Sequence, residues 1–358
     1  MNAYSKAEGL GPMTSFHTCR TILVAFLCTL LLPMPSSLAQ TPEQKHAKPS
    51  WADRLLGIKQ DLTGGWLFAG YRNDGKDGIY FAISKDGYHW KLVNDGRPML
   101  KQSQRDELMR DPFVQRAPDG TFRMIWTWSM STPAVIGYST SSNLVFWSEP
   151  RQLPVIASVP TARNAWAPAM YYEVDKKEWL ILWSSTVPAD GRVSSALDNR
   201  IYATTTTQFK HFTPAKLFFD PGYDVIDSTL VPAGDKPGQY YLLFEDERPA
   251  PLGNRILAAK GFSIDGPWRD IDALFSKAGS EGPAVIHVTD GYLVYYDHDD
   301  DPQHYSAEFS TDLQHWADAT SRITFPAGLR HGSLLHIETS DYNLLLNYHQ
   351  FFDSGSAK

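Results

Sequence analysis

The sequence predicts an all-β protein, a five-bladed β-propeller. The first observation behind this prediction is a motif in which a strand-like segment runs into a small polar turn and then an aromatic residue. The motif occurs five times, at residues 79–90, 135–147, 200–212, 255–268 and 304–316. Its aromatic residues lie 57, 65, 56 and 48 residues apart, a period that fits one four-stranded sheet with its loops.

The second observation is that each interval contains two further apolar, aromatic-rich runs of strand length. Gly, Pro, Asp and Asn bound these runs, and no long helical periodicity occurs outside the N-terminus. One group of runs is 122–128, 178–184, 240–245 and 292–297. The other group, which we expect to be innermost, is 111–116, 166–173, 226–232, 282–288 and 331–337.

The N- and C-terminal strands are expected to close the ring together. Residues 66–93 would complete the blade that begins at His331, which is how a circular array joins its two ends. Two segments, 66–71 and 343–348, compete for one strand position in this blade, and the sequence leaves that choice open.

The N-terminus has the order of a secretory signal. An apolar run at 21–34 follows Arg20, and small residues lead to Ala39. The run of about 14 residues is short for a membrane span of roughly 20. We predict a signal peptide at 1–39, a linker at 40–63, one propeller domain at 64–350 and a tail at 351–358, with a periplasmic or extracellular location. Both cysteines lie in the signal, so the mature chain would have no disulfide.

Composition excludes one class of partner. The net charge is −7, and removal of Lys6, Glu8 and Arg20 with the signal changes it to −8. A mildly acidic chain lacks the basic surface that binds phosphate backbones, so we expect no nucleic acid partner, and no membrane partner after signal removal. The 11 Trp residues are assigned mainly to packing between blades, while a minority near the axis could stack on sugars.

The candidate chemistry lies at the starts of the five predicted inner strands, which converge on one mouth of a propeller. Asp111, Asp227 and Glu281 come from three different blades, and His331 comes from a fourth. A single Asp at a strand start is usually a turn or cap residue. Recurrence in three repeats favours a shared site instead, and carboxylates held apart can act on opposite faces of a sugar ring.

These segments carry a resemblance to a known family. The matching residues are Arg110-Asp111-Pro112, Asn164-Ala165-Trp166-Ala167-Pro168, Ile226-Asp227-Ser228, Glu281-Gly282-Pro283 and Arg330-His331-Gly332. In that order, one per blade, they resemble glycoside hydrolase family 43, the five-bladed propeller enzymes that include α-L-arabinofuranosidases, β-xylosidases and arabinanases. The resemblance covers about residues 64–349.

The resemblance implies a role for each residue. Asp111 would be the general base that activates water, Glu281 the general acid, and Asp227 the residue that orients the acid and keeps it protonated. His331 resembles the family's axial histidine, which lies beside a bound calcium ion in many members, so the prediction includes a metal role for His331 and calcium near the axis.

Second-tier candidates line the predicted mouth. Trp128, Trp166 and Arg330 are expected to bind substrate, with core packing as the alternative for the two Trp residues. Two acidic runs, 245–248 and 297–301, are assigned to loops, and the second is interpreted as a solvated loop in preference to a calcium loop.

The predicted function is a secreted, inverting glycoside hydrolase. It would cleave α-L-arabinofuranosyl or β-D-xylosyl linkages of plant-type polysaccharides or oligosaccharides. The sequence leaves open which sugar is released and whether cleavage occurs at chain ends or within the chain. One alternative is a non-catalytic carbohydrate-binding propeller. The other is a retaining fructan-type hydrolase, which needs an N-terminal Asn-Asp-Pro nucleophile where this chain has Asn94-Asp95-Gly96.

Overall fold

Five antiparallel sheets of four strands each form the fold, and they confirm the predicted five-bladed propeller. The computed structural model describes residues 63–348, apart from 103–106, 189–196, 234–237, 250, 252, 273–275 and 299–301. The predicted signal peptide, nearly all of the predicted linker and the predicted tail lie outside the described residues. Those domain bounds therefore stay predictions.

The strands follow each other from the axis outwards in every blade except the first. Blade 1 consists of β1 (Gly65–Tyr71), β2 (Ile79–Ser84), β3 (Trp90–Leu92) and β20 (Arg330–Ile337). Blade 2 consists of β4 (Arg110–Arg116), β5 (Phe122–Thr127), β6 (Ile136–Ser141) and β7 (Arg151–Leu153). Blade 3 consists of β8 (Trp166–Glu173), β9 (Glu178–Thr186), β10 (Asn199–Thr206) and β11 (Lys216–Phe219). Blade 4 consists of β12 (Val225–Pro232), β13 (Tyr240–Asp246), β14 (Arg255–Gly261) and β15 (Trp268–Asp272). Blade 5 consists of β16 (Ser280–Val288), β17 (Gly291–His298), β18 (Tyr305–Ser310) and β19 (Ala317–Asp318).

The innermost strands are β4, β8, β12, β16 and β20, as the sequence predicted. Each contacts the innermost strand of the next blade, and β20 contacts both β4 and β16, so the five strands form a closed ring. Their starts therefore face one mouth of a common axis.

Blade 1 is closed by strands from both ends of the chain. β20 pairs with β1 in an antiparallel register from Gly65↔Ile337 to Tyr71↔Arg330. The competition for this position is thus settled in favour of β1, whose seven residues are all buried. Residues 343–346 lie instead in the helix α1 (Thr339–Leu346), whose Tyr342 and Leu345 pack into the core of blade 1.

The repeated polar turn joins the third and fourth strands of each blade, counted from the axis. The turn is stabilised by a polar side chain that accepts hydrogen bonds from backbone N–H groups within it. Asp86 Oδ1 accepts from the N–H groups of Tyr88 and His89 at 2.8 and 2.9 Å. The aromatic residue that follows packs between blades: the Trp90 ring lies 6.0 Å from that of Tyr295 in blade 5. The motif therefore stabilises both the blade edge and the contact between blades.

Two short 3₁₀ turns, Asn94–Gly96 and Thr320–Arg322, follow the outermost strands β3 and β19. Within the described part of the chain, the helices are too short or too polar to cross a membrane.

Candidate active site

Each innermost strand has a bulge near its start. The ladder register shifts between Arg110 and Phe113 in β4, and shifts at the equivalent place occur in the other four blades. The residues at the bulge position are Asp111, Ala167, Asp227, Gly282 and His331. The first four have positive φ angles of 52, 44, 57 and 63°. Because this left-handed backbone costs free energy for residues other than glycine, its use at three non-glycine positions marks a constrained site.

The bulges bring two predicted carboxylates to the imidazole of a third predicted residue. His331 Nδ1 lies 3.3 Å from Asp111 Oδ1 and 3.2 Å from Asp227 Oδ2. These residues belong to blades 1, 2 and 4, and because blade 4 is adjacent to neither of the other two, the three blades come together only at the axis. The structure therefore places Asp111, Asp227 and His331 in one cluster.

Asp111 is held by its own blade. Its Oδ2 accepts a 2.6 Å hydrogen bond from Thr127 Oγ1, and Thr127 Oγ1 accepts from the N–H of Ala167 at 2.8 Å. Thr127 is fully buried, so this chain of bonds fixes the Asp111 carboxylate relative to blade 3. Its other oxygen faces His331.

Asp227 is buried, and its Oδ2 accepts from the N–H of Gly282 in the next blade at 3.1 Å. Burial raises the pKa of Asp227 well above its ordinary value, and the charges of Asp111 and Glu281 raise it further. The folded protein thus favours a neutral Asp227 relative to an exposed aspartate.

Glu281 pairs with Arg330. Arg330 Nη2 donates to Glu281 Oε1, and Arg330 Nε lies 3.6 Å from Asp297 Oδ2. Arg330 is predicted to bind substrate, and in this structure its guanidinium pairs with the predicted acid. A guanidinium stabilises a carboxylate in general, so proton donation by Glu281 requires that another group engage Arg330.

A second ring of buried side chains lies behind the bulges. These residues stand on the second strand of each blade, each paired in register with the residue before the bulge. They are Tyr71, Thr127, Ser184, Glu245 and Asp297. All five are buried.

Sequence reasoning missed Glu245 and Asp297 as site residues, because it assigned the acidic runs that contain them to loops. Glu245 instead lies in β13 and Asp297 in β17. Burial raises the pKa of both carboxyl groups well above the ordinary values. A signal was present: each acid ends an aromatic-rich strand run directly opposite a predicted inner strand start.

The two predicted aromatic residues have different surroundings. Trp166 is half-buried at the start of β8, immediately before the bulge residue Ala167. Trp128 is only 7% exposed and lies in the hydrophobic core with Trp126, whose ring is stacked at 6.2 Å. Core packing, the alternative considered for both, therefore describes Trp128, while Trp166 remains at the mouth.

His331 Nδ1 is flanked by two carboxylates. Calcium is bound by six to eight oxygen atoms, whereas the His331 nitrogen already lies between the carboxylates of Asp111 and Asp227. The imidazole thus takes the position a cation would need between these two groups. Calcium near the axis and the metal role of His331 stay predictions.

The nucleophile of the fructan-type alternative has no counterpart at this mouth among the described residues. Asp95 is exposed, follows the outermost strand of blade 1 and pairs with Arg97 at 3.4 Å. It therefore lies at the rim of the propeller and not among the inner strand starts.

Comparison with known proteins agrees with this architecture. A family model for glycosyl hydrolase 43-related proteins, described as a probable glycosyl hydrolase domain, matches residues 63–343. An α-L-arabinofuranosidase of Bifidobacterium longum subsp. longum is 23% identical over 250 residues, which cover 62% of this chain and 22% of that protein. The chain thus spans about a fifth of the length of this curated relative.

Two solved structures are similar in fold. An exo-β-1,3-galactanase from Clostridium thermocellum has a TM-score of 0.53 at 14% identity, covering 71% of this chain and 58% of that chain. A family 43 β-1,3-galactosidase with galactodeoxynojirimycin also has a TM-score of 0.53, at 13% identity, covering 71% of this chain and 90% of that chain. At these identities the similarity supports the propeller fold alone. Because the family model extends over most of the chain, from blade 1 to helix α1, the protein belongs to the glycosyl hydrolase 43-related family.

Proposed function

We propose that the protein is a secreted glycoside hydrolase that cleaves α-L-arabinofuranosyl or β-D-xylosyl linkages of plant-type saccharides with inversion. The observation that carries this proposal is the gathering of Asp111, Asp227 and Glu281 at one mouth. His331 Nδ1 contacts Asp111 and Asp227, and oxygen atoms of Asp227 and Glu281 lie within 4.8 Å of each other. A sugar-binding propeller would need no such concentration of buried acids, which is costly unless it serves chemistry.

The proposed reaction is a single displacement. Asp111 takes a proton from water as the water oxygen bonds to the anomeric carbon, and the glycosidic C–O bond breaks. Glu281 gives its proton to the departing oxygen. Asp111 then carries one extra proton and Glu281 one fewer, and exchange with solvent restores both.

Arg330 has to release Glu281 for this reaction. In the structure its guanidinium pairs with the Glu281 carboxyl group. We propose that hydroxyl groups of the bound sugar accept the Arg330 hydrogen bonds, so that substrate binding frees Glu281 to hold and donate a proton. Arg330 then serves as the substrate-binding residue that the sequence predicted.

The names of the similar proteins point to different sugars. The curated relative is named an arabinofuranosidase, which favours arabinofuranose, whereas the two structures similar in fold are named for β-1,3-galactosyl substrates. Galactosides therefore belong in the test beside pentosides.

The test is hydrolysis of a panel of aryl glycosides and oligosaccharides with arabinofuranosyl, xylosyl and galactosyl ends. We expect release of a pentose, and a loss of roughly 10²–10⁴-fold in kcat/KM for Asp111→Asn. Asp95→Asn is the matched control, and it should retain the wild-type rate because Asp95 lies at the rim.

Two outcomes would replace the proposal. Loss of activity in Asp95→Asn with retention in Asp111→Asn would favour the fructan-type alternative. Binding of oligosaccharides by calorimetry without any hydrolysis would favour the non-catalytic propeller. Calcium is tested separately by metal analysis and by chelation of the purified protein.

A further inference from the structure

Glu245 is a third carboxyl group beside Asp227 and Glu281. It lies in β13, opposite Ile226 in the register of blade 4 and thus next to the Asp227 bulge. Single oxygen atoms of Glu245, Asp227 and Glu281 all lie within 4.8 Å of one another. The proposed mechanism assigns no role to Glu245.

Glu245 differs from the other two acids in its partners. Asp227 contacts His331, and Glu281 pairs with Arg330. Within the described part of the chain, Glu245 has no Lys, Arg or His nitrogen within ion-pair distance, and its Oε2 is buried without a hydrogen-bond partner. The residue itself is only 4% exposed.

A buried carboxylate with no partner is unstable, so either a cation or a proton has to offset its charge. A hard cation would need six or more oxygen atoms, and it would compete with Arg330 and His331 for the oxygens of Glu281 and Asp227. A proton needs no further ligand.

The charges that face Glu245 favour the proton. Besides burial, which is the largest cause, four carboxylates on neighbouring elements raise the pKa of Glu245 well above its ordinary value. They are Asp227 on β12, Glu247 after β13, Glu281 on β16 and Asp297 on β17.

We propose that Glu245 is a positioning residue. As a neutral carboxylic acid it donates a hydrogen bond to a carboxyl oxygen of Asp227 or Glu281, the two acids that lie beside it, and so holds Glu281 in place for proton donation. This role rests on the proposed hydrolase function. The protonated state of Glu245 does not, so the two parts can be tested separately.

The role is tested by comparing Glu245→Gln with Glu245→Leu. Gln keeps the size, neutrality and a hydrogen-bond donor, whereas Leu keeps only neutrality and approximate size. We expect Leu to lower kcat on natural substrates by about 10²-fold through misplacement of Glu281, with little change in KM, and Gln to restore most of this loss. Equal losses in both variants would overturn the role, because they would mean that an ionised carboxylate is required.

The protonated state is tested without any substrate, by thermal unfolding of the wild type and Glu245→Gln from pH 4.5 to 8. The folded state holds the Glu245 proton to higher pH than the unfolded state, so the stability contributed by this group falls as pH rises above the unfolded pKa. Gln cannot ionise. The Tm advantage of Glu245→Gln should therefore grow with pH, by about 2 °C per pH unit over the titration.

The matched control is Glu149→Gln, the same substitution at an exposed carboxyl group whose charge is not among those that act on Glu245. Its Tm difference from the wild type should be nearly independent of pH. A constant difference for Glu245→Gln as well would overturn the protonated state. So would a rise in wild-type Tm with added calcium that Glu245→Gln abolishes, because Glu245 would then be a metal ligand. If no glycoside is hydrolysed, the proposed function fails while the Tm series still decides the state of Glu245.

Discussion

Each carboxyl group at the mouth has a different partner, although the sequence shows them as similar acids at strand starts. Asp111 accepts from Thr127, Asp227 accepts from the Gly282 backbone, and Glu281 pairs with Arg330. Because the state of an acid depends on burial and neighbouring charge, these surroundings set up distinct chemical roles within one site.

Glu281→Gln should separate substrates by leaving group. An amide cannot donate the proton that a poor leaving group needs, so hydrolysis of natural glycosides should fall by roughly 10²–10⁴-fold. Aryl glycosides with acidic phenols should lose far less, because their leaving groups depart without protonation. Steady-state kinetics on both classes give the contrast.

The control for this substitution is Glu149→Gln, which changes an exposed carboxyl group and should leave both rates unchanged. Equal losses on natural and aryl substrates would remove Glu281 from the acid role.

The bulge is the element that builds the site from an ordinary strand. It turns one residue per blade towards the axis and, in four of the five blades, uses left-handed backbone to do so. Gly282 has a second reason to be glycine, since a Cβ atom there would lie 2.6 Å from His331 Cδ2. The bulge in blade 5 therefore leaves the space that the His331 ring occupies.

Gly282→Ala should be more destabilising than Gly279→Ala. Both glycines have positive φ angles, of 63 and 82°, so both substitutions pay a backbone cost of about 1 kcal/mol. A Cβ atom at Gly279 meets nothing within 4 Å, whereas at Gly282 it collides with His331. We expect a further loss of about 1–3 kcal/mol for Gly282→Ala, measured by urea unfolding.

Activity provides a second readout for the same pair. Displacement of His331 should lower kcat in Gly282→Ala and leave it unchanged in Gly279→Ala. Equal free energies of unfolding in the two variants would contradict this expectation, because they would show that the His331 ring moves aside without a loss of stability.

At the scale of the whole molecule, ring closure decides which residues face each other. β20 contributes His331 and Arg330 to blade 1, between blade 2 with Asp111 and blade 5 with Glu281. The predicted base and acid thus come from blades that are not adjacent in the ring.

This arrangement predicts inversion of the anomeric centre. The carboxyl groups of Asp111 and Glu281 should act from a separation of about 6.5–9.5 Å, the range in which a water fits beside the sugar. Proton NMR in the first minutes of cleavage should show the anomer opposite to that of the substrate. Retention of configuration would exclude Asp111 as the base.

Azide gives a control for the same step. It is a small nucleophile that needs no base, so it should partly restore the rate of Asp111→Asn and leave Glu281→Gln on natural substrates unrescued.

Export of the whole chain is predicted by the order of charge, apolar run and small residues before Gln40. N-terminal sequencing of the exported protein should begin near Gln40. An intact Met1 on protein retained inside the cell would contradict the signal peptide and the predicted location.

Local chemistry made the fold predictable from the sequence. The alternation of strands, the polar turns and the aromatic period are properties of neighbouring residues, so five blades, the inner strands and Asp111, Asp227, Glu281 and His331 could be predicted together. The strand that pairs with β20 could not be predicted, because both 66–71 and 343–348 have the length and composition of a strand. Only the observed pairing of β1 with β20 distinguishes the two segments.

Partners that are distant in sequence could be found only in the folded protein. Glu281 meets Arg330 across 49 residues, and Thr127, which binds Asp111, accepts a hydrogen bond from Ala167 across 40 residues. The sequence assigns the acidic runs that contain Glu245 and Asp297 to loops, but both residues are buried in the structure, because the register opposite each bulge turns them inwards. The charge state of such a site depends on burial and on long-range neighbours, neither of which a local pattern of residues contains.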